Sequence, residues 1–346
     1  MSDKKEESRT EINEVGEFGL IDRIKSGTTL ANASSILGIG DDAAVIDAGD
    51  HVKLLSSDML VEGIHFDLSY VPLKHLGYKA VAANVSDIAA MNGIAEQITI
   101  SIAVSNRFSL EAIDALYEGI NAACEAYKVD LVGGDTTSSQ SGLIISVSVV
   151  GRTDKNKISY RSGAALKDII CVTGDIGGAY VGLQALEREK QVFIENKGMN
   201  PKLGEYEYIV GRQLKPEARM DIIHELMEME VRPTSMIDLS DGLASDLMHL
   251  CKSSQCGAVI YEDKLPIDKQ TYDTAVEFNL DPITCCLNGG EDYELLFTIS
   301  QDDHEKLKSH ADIHFIGFTE ASERGINLVT KSGNTVEIIA QGWVHF

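Results

Sequence analysis

Short apolar runs and helical stripes follow one another along almost the whole chain. AAVIDAGD (43–50) reads as a strand and a turn, and VKLLSS (52–57) as a second strand that ends at Asp58. Pro72 opens a helix in which Leu76, Ala80, Ala83 and Ile88 keep near-helical spacing, and Gly93 closes it. QITISIAVS (97–105) alternates like a half-buried strand. Ser109 is placed to cap a second helix with Ile113, Leu116, Tyr117, Ile120 and Cys124 on one face. VDLVGG and LIISVSVVG supply two further strands, which end at Gly151.

The polar stretch 152–168 looks like a crossing between domains. Beyond it the alternation restarts with DIICVTGD and the helical GGAYVGLQALER, then SMIDLSDG and LASDLMHLCKSS. Residues 190–205 have no clean period and read as a loop. The pattern therefore predicts a mobile tail over 1–12, a first domain over 13–151 and a second over 152–346.

Composition narrows the chemistry. A formal charge of −24 argues against nucleic acid or an anionic membrane as partner. No apolar run reaches 18 residues, and MSDKKEESRT lacks the apolar centre of a secretory signal. The six cysteines include no C-x-x-C pair, so reduced thiols in a cytoplasmic protein are expected. An acidic chain can still bind phosphates if it first binds divalent cations.

GIGDDA (38–43) is one substitution from a dinucleotide-binding turn, and Asp58 lies twenty residues after Gly38. Asp41 and Asp42, however, would face the pyrophosphate, and no helix intervenes before the next strand. That reading ranks low. A P-loop is absent, because the chain has no Gly-Lys dipeptide. The acids recur instead in six segments: GIGDD, SSDMLVEGIHF, NVSDIAAMNG, LVGGDTT, IDLSDG and GGEDYEL. Singly, each Asp reads as a turn former or helix cap, Arg161 as a surface residue and His65 as an ordinary side chain. Together, carboxylates at the ends of different strands converge on hard cations that ATP phosphates would bridge.

These segments, in this order, resemble the thiamine-monophosphate kinase family, over essentially the whole chain from GEFGLI (16–21) to GWVHF (342–346). Its superfamily includes aminoimidazole ribonucleotide synthetase, selenophosphate synthetase and a hydrogenase-maturation dehydratase. The resemblance implies an α/β plus α+β architecture, a two-domain aminoimidazole ribonucleotide synthetase-like fold whose N-terminal domain forms the sheet of a homodimer. It implies ATP as co-substrate and several Mg²⁺ ions in the cleft between the domains. By motif, the metal ligands would be Asp42, Asp58, Asp87, Asp135, Asp238 and Asp241, assisted by Ser56 and Ser57. Tyr117, Gly134, Asp135, Arg161 and Ser240 would contact ATP. His65, Glu291 and a C-terminal aromatic group, for which Trp343 is the available residue, would hold thiamine monophosphate. Asp58, Asp87, Asp135 and Arg161 would carry catalysis.

Selenophosphate synthetases carry a reactive Cys or selenocysteine near the N-terminus, and here none precedes Cys124; the hydrogenase relatives end in a cysteine, whereas this chain ends VHF. A non-catalytic metal-binding or scaffolding protein is the rival of a different class. It would keep some acids but need not keep Arg161, His65 and Glu291 in their motifs together.

Overall fold

A computed structural model of the chain describes residues 11–196 and 201–339. Of the expected tail, residues 1–10 lie outside the described residues, and helix α1 (Ile12–Gly27) already begins at Ile12. The first half then runs β1 (Ser35–Leu37), β2 (Ala44–Asp47), β3 (His51–Val61), α2 (Leu73–Ala90), β4 (Ile94–Val104), α3 (Leu110–Tyr127), β5 (Asp130–Ser138) and β6 (Ile144–Asp154). Its six strands form one mixed sheet in the order β1-β2-β3-β6-β4-β5, antiparallel except for the β4–β5 pair. The α3 helix joins those two parallel strands, as a parallel pair requires a long crossover.

The second half holds β7 (Ile169–Thr173), α4 (Gly178–Glu195), α5 (Glu207–Leu214), α6 (Met220–Glu228), β8 (Ser235–Asp238), α7 (Leu243–Ser254) and β9 (Cys256–Tyr261). After them come α8 (Lys269–Glu277), α9 (Pro282–Asn288), β10 (Leu295–Ile299), α10 (His304–Leu307), β11 (Ile313–Ala321), β12 (Ile326–Val329) and β13 (Thr335–Glu337). A seven-stranded sheet results, in the order β13-β12-β9-β11-β7-β10-β8. The expected α/β plus α+β class is what the chain adopts. No described helix is long and apolar enough to cross a membrane.

Helix α2 positions everything that follows. It packs on β3, β4 and β6 of the first sheet and on β8 of the second. A helix enclosed on all sides must be apolar or small all round, and ALA-rich KAVAANVSDIAA meets that demand: every residue from Leu76 to Ala90 except Asp87 is buried. Two glycines let α3 come close. A Cβ on Gly77 would stand 2.1 Å from the Leu116 carbonyl oxygen, and one on Gly119 would stand 1.8 Å from that of Lys74.

Four segments differ from the sequence reading, the first being β6, which does not end at Gly151 but pairs with β3 as far as Asp154. Strand β3 does not end at Asp58 but continues to Val61, because Asp58 pairs in register with Val147 and the ladder to β6 runs on to Ile144. Asp135 likewise lies inside β5, opposite Ser101. In the expected loop 190–205, α4 continues to Glu195, and Leu203–Tyr206 forms a 3-10 turn. KQVFIE contains no helix breaker, and the buried Glu189 accepts the Lys202 amide at 2.8 Å, which ties Lys202 to α4. Ser109, by contrast, caps α3 as its spacing predicts, accepting from the Ala112 amide.

The closeness of α2 and α3 makes a stability prediction. Gly119→Ala forces backbone against backbone, so it should destabilise the fold by about 1–3 kcal/mol or more, read as a lower urea midpoint. An unchanged midpoint would mean that the crossing has room to spare.

Candidate active site

A cleft of about 1790 Å³ runs between the two sheets, and α2 forms its floor through Leu76, Lys79, Ala83 and Asp87. Helical spacing of three and four residues puts these four on one stripe. Strand β3 contributes Ser56 and Asp58, whose side chains share a face because alternate residues of a strand do. The turn before β2 brings Asp41 and Asp42, the end of β8 brings Asp238, and the turn before α7 brings Ser240 and Asp241.

Asp42, Asp87 and Asp238 offer carboxylate oxygens all within 4.8 Å of one another. At an effective dielectric of about 20, two ionised carboxylates at that separation repel by roughly 3 kcal/mol. Neighbouring donors relieve part of this. Ser56 Oγ donates to Asp87 at 2.5 Å, and Ser86 Oγ to Asp238 at 2.7 Å. Arg161 donates twice to Asp42 Oδ1, from Nε at 3.2 Å and Nη2 at 2.6 Å. Its main-chain amide donates to Asp41. The other Asp42 oxygen is buried with no partner among the described residues.

Protons answer the remaining repulsion. Burial, with the Asp42 charge beside it, pushes Asp238 up to about 7. Burial and then the charges of Asp58, Asp238 and Asp42 push Asp87 well above the ordinary carboxylate range. Asp58 is raised by desolvation in the cleft and by Asp42, and Asp41 reaches about 7 for the same two reasons. Oxygen-only donors, an orphaned buried carboxylate oxygen and a surplus of negative charge suit a hard divalent cation.

On the opposite wall, the loop GGED abuts IDLSDG so closely that a Cβ on Gly290 would stand 2.3 Å from the Ser240 carbonyl. Glu291 and Tyr293 both take left-handed backbone angles there, φ 66° and 54°. Their amides donate to Ser240 and Leu239, which holds the strained turn in place. His65 also lines the cleft; its Nδ1 accepts the Val61 amide at 3.0 Å, so the neutral ring carries its proton on Nε2.

The structure thus gathers Asp42, Ser56, Asp58, Asp87, Arg161, Asp238, Ser240, Asp241, His65 and Glu291 around one cleft. Ser57 also lies along the cleft, but its hydroxyl is engaged elsewhere. The pleat turns its hydroxyl to the opposite sheet face, where it bonds Ser148 at 2.9 Å and the Val147 carbonyl at 3.0 Å. Tyr117, Gly134 and Asp135 do not line the cleft. They belong to α3 and the far edge strand β5, three strands from β3, or about 14 Å across the sheet. Trp343 lies outside the described residues.

Sequence reasoning missed several residues of the site. Asp246 is buried and accepts the amides of Asp241 and Gly242 at 3.3 and 3.1 Å, which shapes the SDG turn. Its five-residue spacing from Asp241 was a visible signal. Lys79 and Gln213 carried no local signal, since one reads as helix surface and the other sits outside every acidic motif.

Comparison with known proteins agrees with this architecture. Residues 40–153 match the N-terminal domain of AIR synthase related proteins, and residues 168–338 their C-terminal domain. The thiamine-monophosphate kinase of Bacillus subtilis (strain 168) is 35% identical over 337 residues, covering 95% of this chain and 99% of its own. That of Escherichia coli (strain K12) is 33% identical over 96% of this chain and 98% of its own. Among solved structures, AaThiL complexed with AMPPCP and TMP superposes with a TM-score of 0.83 at 32% identity, covering 98% of this chain and 99% of that one. The chain is therefore a two-domain protein of the AIR synthase related class. Within that class it belongs to the thiamine-monophosphate kinase family.

Proton-bearing carboxylates predict linked metal and proton binding. With folded-state values above the ordinary 3.8, Asp87 and Asp238 favour the metal-free fold below that pH, and this contribution is lost as pH rises through their folded-state values, about 7 for Asp238. Mg²⁺ should therefore raise the melting temperature more at about pH 7.5 than at about pH 5.5, and should release protons on binding. Scanning calorimetry and titration in buffers of different ionisation enthalpy measure both. Equal increments at the two pH values would contradict the coupling.

Proposed function

We propose that the chain transfers the γ-phosphate of ATP directly to the phosphate of thiamine monophosphate, yielding thiamine diphosphate and ADP. Full-length kinship to thiamine-monophosphate kinases supports the activity, and the carboxylate cluster between the sheets supports the chemistry. The acceptor phosphate is already anionic near neutral pH, so no side chain need deprotonate it. What the reaction needs is positioning and relief of charge between two anions.

In this reading Asp42, Asp58, Asp87, Asp238 and Asp241, with Ser56, hold Mg²⁺. When bound, the metal neutralises the β- and γ-phosphates and so supplies the charge relief. Arg161 serves the transferring phosphoryl group, and Ser240 the nucleotide. His65, Glu291 and Trp343 hold thiamine monophosphate. No phosphorylated protein intermediate is required, since the acceptor itself attacks. A cytoplasmic setting fits the six free cysteines.

The active unit in this reading is a homodimer. Support comes from the first sheet, whose helices α2 and α3 cover one face only. Leu55 and Met59 are exposed on the other, beside the Ser57–Ser148 pair. Light scattering at micromolar concentration should therefore give twice the chain mass, and a stable monomer would remove the dimer.

Labelled ATP tests the reaction. Supplied as the γ-labelled nucleotide with Mg²⁺, label should pass to thiamine monophosphate and not to thiamine or formylglycinamidine ribonucleotide. Single turnover should show no labelled protein. Label on the protein would exclude direct transfer, and turnover only with the ribonucleotide would exclude the substrate.

A further inference from the structure

Glu291 is gripped from two elements other than its own loop. Lys79 Nζ on α2 lies 2.9 Å from its Oε2, and Gln213 Nε2 on α5 donates to the same oxygen at 2.7 Å. Lys79 also donates to the Gln213 carbonyl at 3.1 Å, which closes the three residues into a ring. The orientation of the Gln213 amide follows from chemistry, because a carboxylate only accepts and must face the NH₂ group. Lys79 and Gln213 are 5% and 6% exposed, whereas the Glu291 side chain retains 29% and opens on the cleft. Both grips fall on Oε2. No described residue bonds Oε1.

Stability does not account for this arrangement, since a buried ion pair is often replaced by apolar groups without loss. Orientation does. One oxygen is fixed by two donors on separate helices, the backbone is fixed in a left-handed turn by Ser240, and the second oxygen is left for a ligand. Lys79 also stands on the α2 stripe that carries Asp87, eight residues and about 12 Å away along the axis. The stripe therefore has a cation-binding end and an acceptor end.

We propose that Lys79 and Gln213 are positioning residues that aim the free oxygen of Glu291 at the heterocyclic end of thiamine monophosphate. This rests on the kinase reading above. A molecule with a phosphate at one end and a heterocycle at the other spans the stripe, phosphate toward Asp87. An anionic acceptor matches the two features of that heterocyclic portion which seek one, the amino group of the pyrimidine and the positive thiazolium. The nucleotide and its metals meet the other end of the stripe, so their binding is independent of Lys79.

Steady-state kinetics of Lys79→Met and Gln213→Met, each alone and combined with Glu291→Gln, test this. Either single variant should raise KM for thiamine monophosphate about tenfold, with kcat and KM for ATP within about twofold. In the Glu291→Gln background, the same variant should add almost nothing, because it acts through that carboxylate. A merely structural role would instead give additive losses and shift both KM values together. Should Lys79→Met fail to fold, the Gln213→Met cycle decides alone. An unchanged KM for thiamine monophosphate, or additivity with Glu291→Gln, in an otherwise active enzyme overturns the inference and leaves the kinase reading intact. A wild-type protein inert toward thiamine monophosphate removes the kinase reading first.

Discussion

Repulsion among carboxylates is the constraint around which this molecule is arranged. Asp42, Asp87 and Asp238 bring oxygens within 4.8 Å, Asp58 adds a fourth charge, and Arg161 answers from the positive side. No fold places such groups together for stability; each repels the others, and the crowding and burial raise Asp58, Asp87 and Asp238 toward holding protons. They stay together because each is anchored to a different rigid element. One comes from a turn, one from a strand, one from a buried helix and one from the other sheet. Release of any single group would require breaking the packing of its own element.

Helix α2 is the member that makes this possible. It is buried between the sheets, so its register is fixed on both sides, and its stripe from Lys79 to Asp87 cannot rotate away from the cleft. Gly77 and Gly119 bring α3 hard against its outer side. Meanwhile the ion pair of Lys79 with Glu291 crosses from α2 to the second half of the chain, as does the Ser86–Asp238 hydrogen bond. The site and the junction between the two halves are thus built from the same side chains.

Much of this was legible in the chain. Spacing located α2, its stop near Gly93 and the Ser109 cap, because period and capping are local properties. The acids of the cleft were legible because they recurred in short segments, several with Gly or Ser beside the acid. What failed was what depends on pairing partners. Nothing local says that β3 continues past Asp58; the ladder with β6 decides it. Nor does the SSD motif say that Ser57 must point away, until the strand is known to run straight through it and alternation assigns its two faces. The gap between Asp135 and the cluster is a consequence of strand order, which no single motif encodes. Lys79 and Gln213 were invisible for a related reason, since their significance lies in a contact with a residue more than seventy positions away.

An acidic protein that handles two phosphate compounds presents an apparent contradiction, and the geometry resolves it. Both hydrogen bonds of the Arg161 side chain go to one oxygen of Asp42, so its positive charge is already engaged. A divalent cation among Asp42, Asp87 and Asp238 would displace the protons that burial favours on Asp87 and Asp238 and would take over the task of neutralising Asp42. The guanidinium would then face phosphate with its charge no longer committed. Binding of such a metal and binding of anion would be one coupled event, and a metal that bound first would reconcile the large negative charge of the chain with phosphate ligands. The same surplus of carboxylates would repel bare phosphate compounds and favour metal-loaded ones.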